Sequence, residues 1–193
     1  AVRIDGARYA DWDDEALSRH IGYLPQRIEL FDGTIAENIC SFASAVDESG
    51  APTGPKVVEA AIAAGAHELI LRLPNGYETM LGTSGAGVSP GQAQRIALAR
   101  AFFGSPCVVV LDEPNSHLDL EGEAALVGAI EKVRVRNGVV FVVAHRTGVI
   151  GIVDKIAVLH EGRVVDFGPR ATVLAKIAAA VKGDAPALVS ART

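Results

Sequence analysis

This chain of 193 residues has no long hydrophobic run and no excess of positive charge, and it has only two cysteines and one methionine. No stretch reaches the roughly 18 consecutive apolar residues of a membrane-spanning helix, so no segment is expected to cross a bilayer. Lys and Arg number 18 against 23 Asp and Glu, which gives a formal net charge of −5. Because nucleic-acid surfaces need clustered positive charge, we expect no nucleic-acid partner.

The scarcity of sulfur-containing residues carries further exclusions. Cys40 and Cys107 are the only cysteines and form no CxxC pair, which argues against both a disulfide framework and a zinc cage. We expect two small buried apolar residues in a reducing compartment. The single methionine is Met80 and the sequence starts at Ala1, so we expect it to be a piece of a longer protein. We also expect no secretory signal.

The residues that are abundant supply a core and a regular alternation of strand and helix patterns. Apolar residues make up 49% of the chain and charged residues 21%, which predicts one folded domain. Apolar runs predict strands at 21–24, 107–111 and 139–144, the last two buried on both faces. Two further runs, at 156–160 and 163–167, predict a hairpin. Strands that alternate with helices indicate an α/β fold.

A weakly periodic helical stretch interrupts this alternation at 35–100. It is predicted to be a helical subdomain inserted between strands of the sheet. Its first helix is predicted from the capping box that begins at Thr34. We expect the domain as a whole to occupy 1–178, followed by a flexible tail at 179–193 that is rich in Ala, Pro and Ser.

Two carboxylates, Asp112 and Glu113, directly follow the apolar run at 107–111. In open α/β sheets, ligands bind beyond the carboxyl ends of the strands. Mg²⁺ takes one or two carboxylates together with phosphate oxygens, and a glutamate can orient or deprotonate a water. An acidic helix cap is the other interpretation, and the pattern alone does not decide between the two.

Three more signals have both a functional and a structural interpretation. Ser89 is a good N-cap, with Pro90 at the first helical position and Gly91 beside it, which predicts either an anion site or simply a well-capped helix. His145 and Gln26 each follow a predicted strand. They would emerge at the carboxyl edge of the sheet, although a lone histidine or glutamine there is often structural.

The order and spacing of these signals resemble those of the ATP-binding cassette (ABC) ATPases. The matching segments correspond in family order to the Q-loop, the signature loop, Walker B with its catalytic glutamate, the D-loop and the switch histidine: Tyr23-Leu24-Pro25-Gln26, Val88-Ser89-Pro90-Gly91-Gln92, 108–113, Ser116-His117-Leu118-Asp119 and His145. The resemblance implies a P-loop NTPase (RecA-like) fold with a mostly parallel sheet, and it implies ATP and Mg²⁺ as cofactors.

The resemblance also implies a role for each matched residue. Asp112 would hold Mg²⁺, and Gln26 would contact both Mg²⁺ and the attacking water. Glu113 would be the general base, and His145 would hold the γ-phosphate. The other matched residues would meet ATP bound to a second, head-to-tail copy of the domain: Ser89, Gly91, Gln92 and, at the seam between the copies, Asp119. Catalysis would then be positioning and electrostatic stabilisation of phosphoryl transfer to water.

Two departures from the family pattern are visible. Pro90 stands where the family usually has glycine, but proline suits the first turn of a helix, so activity is expected to survive. The sequence also contains no G-x-x-x-x-G-K-[ST], the loop that cradles phosphates. We expect that loop in a segment upstream of Ala1. The chain alone would then be inactive, with Val109 and Val142 beside an open gap in the sheet.

Within the family, the segments 21–26 and 29–39 resemble an exporter cassette. The segment 112–119, with Asn115 where threonine is commoner, resembles the exporters of type I secretion. The resemblance implies a location at the cytoplasmic face of the bacterial inner membrane. It further implies a fused transmembrane domain, a homodimer, a periplasmic adaptor and an outer-membrane channel. The cargo would be an unfolded polypeptide with a C-terminal signal.

Two alternatives stay open at this point. The first is a non-transport ABC ATPase of DNA repair or chromosome organisation, but those interrupt the cassette with long heptad helices, and the stretch between Gln26 and Ser89 is short and has no heptads. The second is a catalytically impaired cassette with a regulatory or assembly role. The presence of Glu113 and His145 counts against it, whereas loss of the phosphate-loop lysine would favour it.

Overall fold

The computed structural model describes residues 2–43, 53–82, 85, 87–144 and 147–181. The chain divides into two compact units, Ala1–His145 and Arg146–Thr193, and each is described by itself. The strands of the first unit are β1 (Arg3–Ile4), β2 (Ala7–Arg8), β3 (Ile21–Leu24), β4 (Gly33–Thr34), β5 (Met80–Leu81), β6 (Val108–Asp112) and β7 (Val139–Val143). Its helices are α1 (Asp14–Ser18), α2 (Ile35–Ile39), α3 (Thr53–Ala63), α4 (His67–Leu71), α5 (Pro90–Phe102) and α6 (Leu120–Val135), with short 3₁₀ turns at Tyr9–Asp11 and Gly76–Glu78.

Three parallel strands form the centre of the first unit, in the order β3-β6-β7. They lie within one residue of the predicted bounds, because runs of β-branched residues such as those of β6 favour an extended backbone. Parallel strands joined through helices confirm the predicted α/β class. Among the described residues, no helix is both long and apolar enough to span a membrane.

The two faces of this sheet differ sharply in exposure. One face carries Leu24, Val109 and Leu111, which are fully buried. The opposite face carries Tyr23 and Phe141, whose side chains are 56% and 58% exposed. The prediction that β7 is buried on both faces is therefore wrong, because its side chains alternate between exposed and half-buried. The expectation that Val109 borders an open gap in the sheet is also wrong, because Val109 is fully buried and the exposed side chains lie on the opposite face.

The stretch predicted to be helical holds α2, α3, α4 and most of α5, which pack on one another. Thr34 and Glu37 form the predicted capping box at the start of α2. The buried side chains of this part include Ile39, Ala61 and Ile96. These helices belong to the same compact unit as the sheet, so a separate subdomain stays a prediction.

Arg100 of α5 forms hydrogen bonds with the segment that follows Gln26. Its Nε donates to the carbonyl of Asn38 at 2.7 Å, and its Nη1 donates to the carbonyl of Glu29 at 3.0 Å. The guanidinium also lies 5.1 Å from the centre of the Phe31 ring, within the range of a cation–π contact. Burial lowers the pKa of Arg100, and these acceptors compensate the buried charge.

The second unit contains α7 (Thr147–Ile150), the antiparallel strands β8 (Lys155–His160) and β9 (Arg163–Pro169), and α8 (Arg170–Val181). The hairpin predicted around Glu161 is confirmed, and each strand extends one or two residues beyond its predicted bounds. The last helix continues past the predicted domain boundary at 178. The rest of the predicted tail, 182–193, lies outside the described residues.

Candidate functional site

The carboxyl ends of the three parallel strands bring together side chains that are distant in sequence. Gln26 follows β3, Asp112 is the last residue of β6, and Glu113 comes directly after it. The Gln26 amide donates from Nε2 to Oε1 of Glu113 at 2.6 Å. The edge that the sequence predicted as a ligand site therefore has a direct polar contact between two of its predicted residues.

The backbone of Glu113 is held in an unusual conformation. Its φ is +48°, in the left-handed region that is uncommon for residues other than glycine. Its N–H donates to the carbonyl of Val143, the last residue of β7, at 2.8 Å. Such conformations cost on the order of 1–3 kcal/mol and cluster at functional sites. The strained backbone sets the direction of the side chain beyond the sheet edge.

The donor set at this edge fits a magnesium ion that is also held by phosphate oxygens. Asp112 and Glu113 supply two half-buried carboxylates. Gln26 supplies its amide oxygen, because its amide nitrogen already donates to Glu113. Mg²⁺ prefers such oxygen ligands and is commonly bound through one or two carboxylates plus phosphates and water. Within the described part of the chain, no group of three or more His, Cys, Asp or Glu could hold a metal by itself.

A second group of predicted residues lies around an open cavity of about 280 Å³. The predicted members of its lining are Ser89, Gly91, Gln92 and Asp119. The other lining residues come from α4, α5 and the start of α6 or the loop before it: Glu68, Leu69, Arg72, Arg95, His117 and Glu121. Gln26, Asp112 and Glu113 do not line this cavity. The predicted residues therefore form two groups, joined by the short loop 113–119.

The helix start beside this cavity has the predicted cap. Ser89 Oγ accepts from the backbone N–H of Gln92 at 3.3 Å, and Gln92 Oε1 accepts from the N–H of Ser89 at 2.8 Å. Pro90 occupies the first turn of α5, as predicted. There the missing N–H of proline costs no hydrogen bond. The Gln92 side chain thus stabilises the loop conformation as well as facing the cavity.

Two buried polar residues of α5 hold the loop 113–119, and the sequence interpretation missed both. Gln94 Nε2 donates to the carbonyl of Pro114 at 2.8 Å, and Arg95 is ion-paired with Asp119. The backbone N–H of Gly122, and after it the Arg95 guanidinium, lower the pKa of Asp119. The available signal was the position of Gln94 and Arg95 next to the apolar residues Ile96 and Ala97 of the same helix. All four are buried, and buried polar groups require partners.

One predicted residue has no structural test. His145 lies outside the described residues, so its approach to the sheet edge stays a prediction. The other seven predicted site residues are all described, three at the sheet edge and four around the cavity.

Comparison with known proteins finds a family model, related proteins and a solved structure that are similar to this chain. The family model for the ABC transporter matches residues 1–116. The type I secretion system ATP-binding protein PrsD of Rhizobium meliloti is 53% identical over 177 residues, which are 92% of this chain and 29% of PrsD. Multidrug resistance protein 1 of Entamoeba histolytica is 38% identical over 167 residues, which are 86% of this chain and 12% of that protein.

A solved structure of a bacterial Atm1-family ABC exporter with ATP bound is similar to this chain with a TM-score of 0.79 and 29% identity. The match covers 95% of this chain and 32% of that exporter. This chain thus spans less than a third of the length of each of these relatives.

Proposed function

Because this chain belongs to the ABC transporter family, we propose that the full-length protein powers transport by hydrolysing ATP with Mg²⁺. The chain has the α/β fold of P-loop NTPases, and it is the ATP-binding domain of an ABC exporter. The hydrogen bond between Gln26 and Glu113 at the sheet edge is the observation that carries the proposal of hydrolysis.

The proposed chemistry assigns different tasks to the residues at the sheet edge. Glu113 accepts the proton of the attacking water, and Gln26 orients both Glu113 and that water through its amide. Asp112 and the Gln26 oxygen would hold Mg²⁺, which neutralises charge on the phosphates when bound. His145 would hold the γ-phosphate. A base that is fixed by a hydrogen bond and a strained backbone needs little reorganisation during the reaction.

The cavity beside α5 is proposed to face ATP that is bound to a second, head-to-tail copy of the domain. Ser89, Gly91 and Gln92 lie at the N-terminus of a helix of thirteen residues, where the backbone dipole favours an anion. Asp119 lies on the rim and would bridge the two sites at the seam. The group at the sheet edge and the cavity would then act on one ATP from opposite copies.

For the transported substrate, we propose an unfolded polypeptide secreted by a type I system. The identity to PrsD supports this proposal. The full-length protein would carry a transmembrane domain and would work as a homodimer at the cytoplasmic face of the bacterial inner membrane. A periplasmic adaptor and an outer-membrane channel would complete the path.

Deletion of the gene, followed by complementation with the wild type, tests the proposed cargo. We expect one or a few polypeptides to disappear from the culture medium and to return on complementation, and removal of their C-terminal segment should also keep them inside the cell. An unchanged medium with lost resistance to small apolar compounds would contradict secretion. It would favour a role in multidrug resistance, the property in the name of the Entamoeba relative.

A further inference from the structure

Arg95 is the buried cation of α5, with only 8% of its surface exposed. A buried guanidinium is costly unless its N–H groups and its charge find partners. Nη1 donates to the carbonyl of Gly65, in the turn between α3 and α4, at 2.8 Å. Nη2 donates to Oδ1 of Asp119, just before α6. One side chain thus connects three separate parts of the fold.

The surroundings of Asp119 are shaped around this contact. Asp119 is the N-cap of α6, and its Oδ1 also accepts from the N–H of Gly122 at 2.8 Å. A Cβ at Gly122 would lie 3.2 Å from Arg95 Nε, closer than ordinary packing allows. The first turn of α6 therefore leaves room for the guanidinium. The Asp119 side chain is still 68% exposed, so it can also meet a partner.

The connection joins the two parts of the surface that the proposed function places against ATP of a second copy. Ser89 is the N-cap of α5, and Arg95 lies less than two turns further along the same helix. Through Asp119, Arg95 fixes the loop that ends in the seam residue. Lysine would keep the charge but could not donate in two fixed directions, because the planar fork belongs to arginine.

We propose that Arg95 is a positioning residue that sets the spacing between the Ser89 loop and Asp119, and that without it the two copies close around ATP less readily. The inference rests on the proposed function. Loss of the contact between Arg95 and Asp119 would appear as a weaker apparent affinity for ATP, since part of the binding free energy would be used to order the loop. The chemistry at Glu113 would change much less.

The test is a double-mutant cycle in the full-length protein with Arg95→Lys, Asp119→Asn and the double variant. Asparagine still caps a helix, so Asp119→Asn removes the charge of the pair while keeping the cap. Maximal turnover and the ATP concentration at half-maximal turnover are measured for each protein, together with its unfolding temperature. Arg134→Lys is the matched control, because Arg134 forms an exposed pair with Glu131 on the surface of α6.

We expect Arg95→Lys to raise the half-maximal ATP concentration about tenfold, with maximal turnover within about threefold, and the double variant to add little to the larger single effect. Shifts that multiply in the double variant, or a lower unfolding temperature with unchanged ATP dependence, would overturn the positioning role alone. Failure of the unsubstituted full-length protein to hydrolyse ATP would overturn the proposed function and this inference together.

Discussion

Pro90 stands at the start of α5, in the slot where ABC ATPases usually have glycine, and the helix accepts it without distortion. We therefore expect Pro90→Gly in the full-length protein to leave the ATPase rate within about threefold and to lower stability by about 0.4–1 kcal/mol, because glycine has more freedom in the unfolded chain. Rate and urea denaturation measure the two effects. A gain of about tenfold in rate, or about 1.4 kcal/mol of barrier, would mean that proline damages the loop.

Asp166 in the second unit gives a prediction about pH. Lys176 Nζ donates to both carboxylate oxygens of Asp166, at 2.9 and 3.0 Å, and it lowers the pKa of that carboxyl. The folded pKa is thus below the unfolded value of about 3.9. The pair stabilises the fold above that value, and this contribution is lost as the pH falls through the folded pKa.

Asp166→Asn should accordingly make the free energy of unfolding less dependent on pH between about pH 4 and the lower folded pKa. Amide hydrogen exchange in β9 measures the effect as a function of pH, and Lys176→Gln should reduce the pH dependence in the same way because it removes the other half of the pair. Equal pH dependence in the wild type and both variants would show that the pair does not stabilise the packing of α8 on β9.

At this scale the sequence predicted local features and missed distant ones. The Ser89 cap and the position of Pro90 depend on a few neighbouring residues, so they could be predicted. The pairing of Arg95 with Asp119 depends on where the fold places the start of α6 relative to Arg95, which no local pattern specifies. The left-handed backbone of Glu113 is likewise held by a hydrogen bond to β7.

At the scale of elements, α5 and β3 approach each other so closely that the strand needs glycine. A Cβ at Gly22 would overlap the carbonyl oxygen of Ala101. We expect Gly22→Ala to destabilise the chain by about 1–3 kcal/mol, the usual range for overpacking. Gly128→Ala is the matched control, since nothing lies within 4 Å of a Cβ there and alanine favours a helix interior.

Urea denaturation of both variants measures the difference between these two glycines. A midpoint for Gly22→Ala equal to that of the wild type would contradict the close packing of α5 on β3. A destabilised Gly128→Ala would instead show that α6 does not have open space at that position.

The bounds of the strands were predictable because each is a compact run of apolar residues, but their burial was not. An apolar run is typical of a strand covered on both faces. In β7, however, only the face it shares with Leu111 is covered, and Val139, Phe141 and Val143 are exposed. Which elements cover a sheet depends on the whole fold, so the run alone could not decide it.

At the scale of the whole molecule, the open sheet face is an apolar patch on a chain with a net charge of −5. Such patches promote association. We expect the chain of 193 residues to self-associate through this patch. In a sedimentation-velocity experiment, Phe141→Lys should shift the sedimentation coefficient toward that of the monomer. Val135→Lys is the control, because Val135 is 83% exposed at the end of α6. Equal association of all three proteins would contradict a role for this face.

The central claim is that the sheet edge around Glu113 hydrolyses ATP, and Glu113→Gln in the full-length protein tests it most directly. The substitution keeps the shape of the side chain but removes the base. Phosphate release at saturating Mg-ATP should fall by at least about 10²-fold while ATP binding persists. Glu15→Gln, at an exposed glutamate of α1, should behave as the wild type. Near-normal phosphate release by Glu113→Gln would contradict the account.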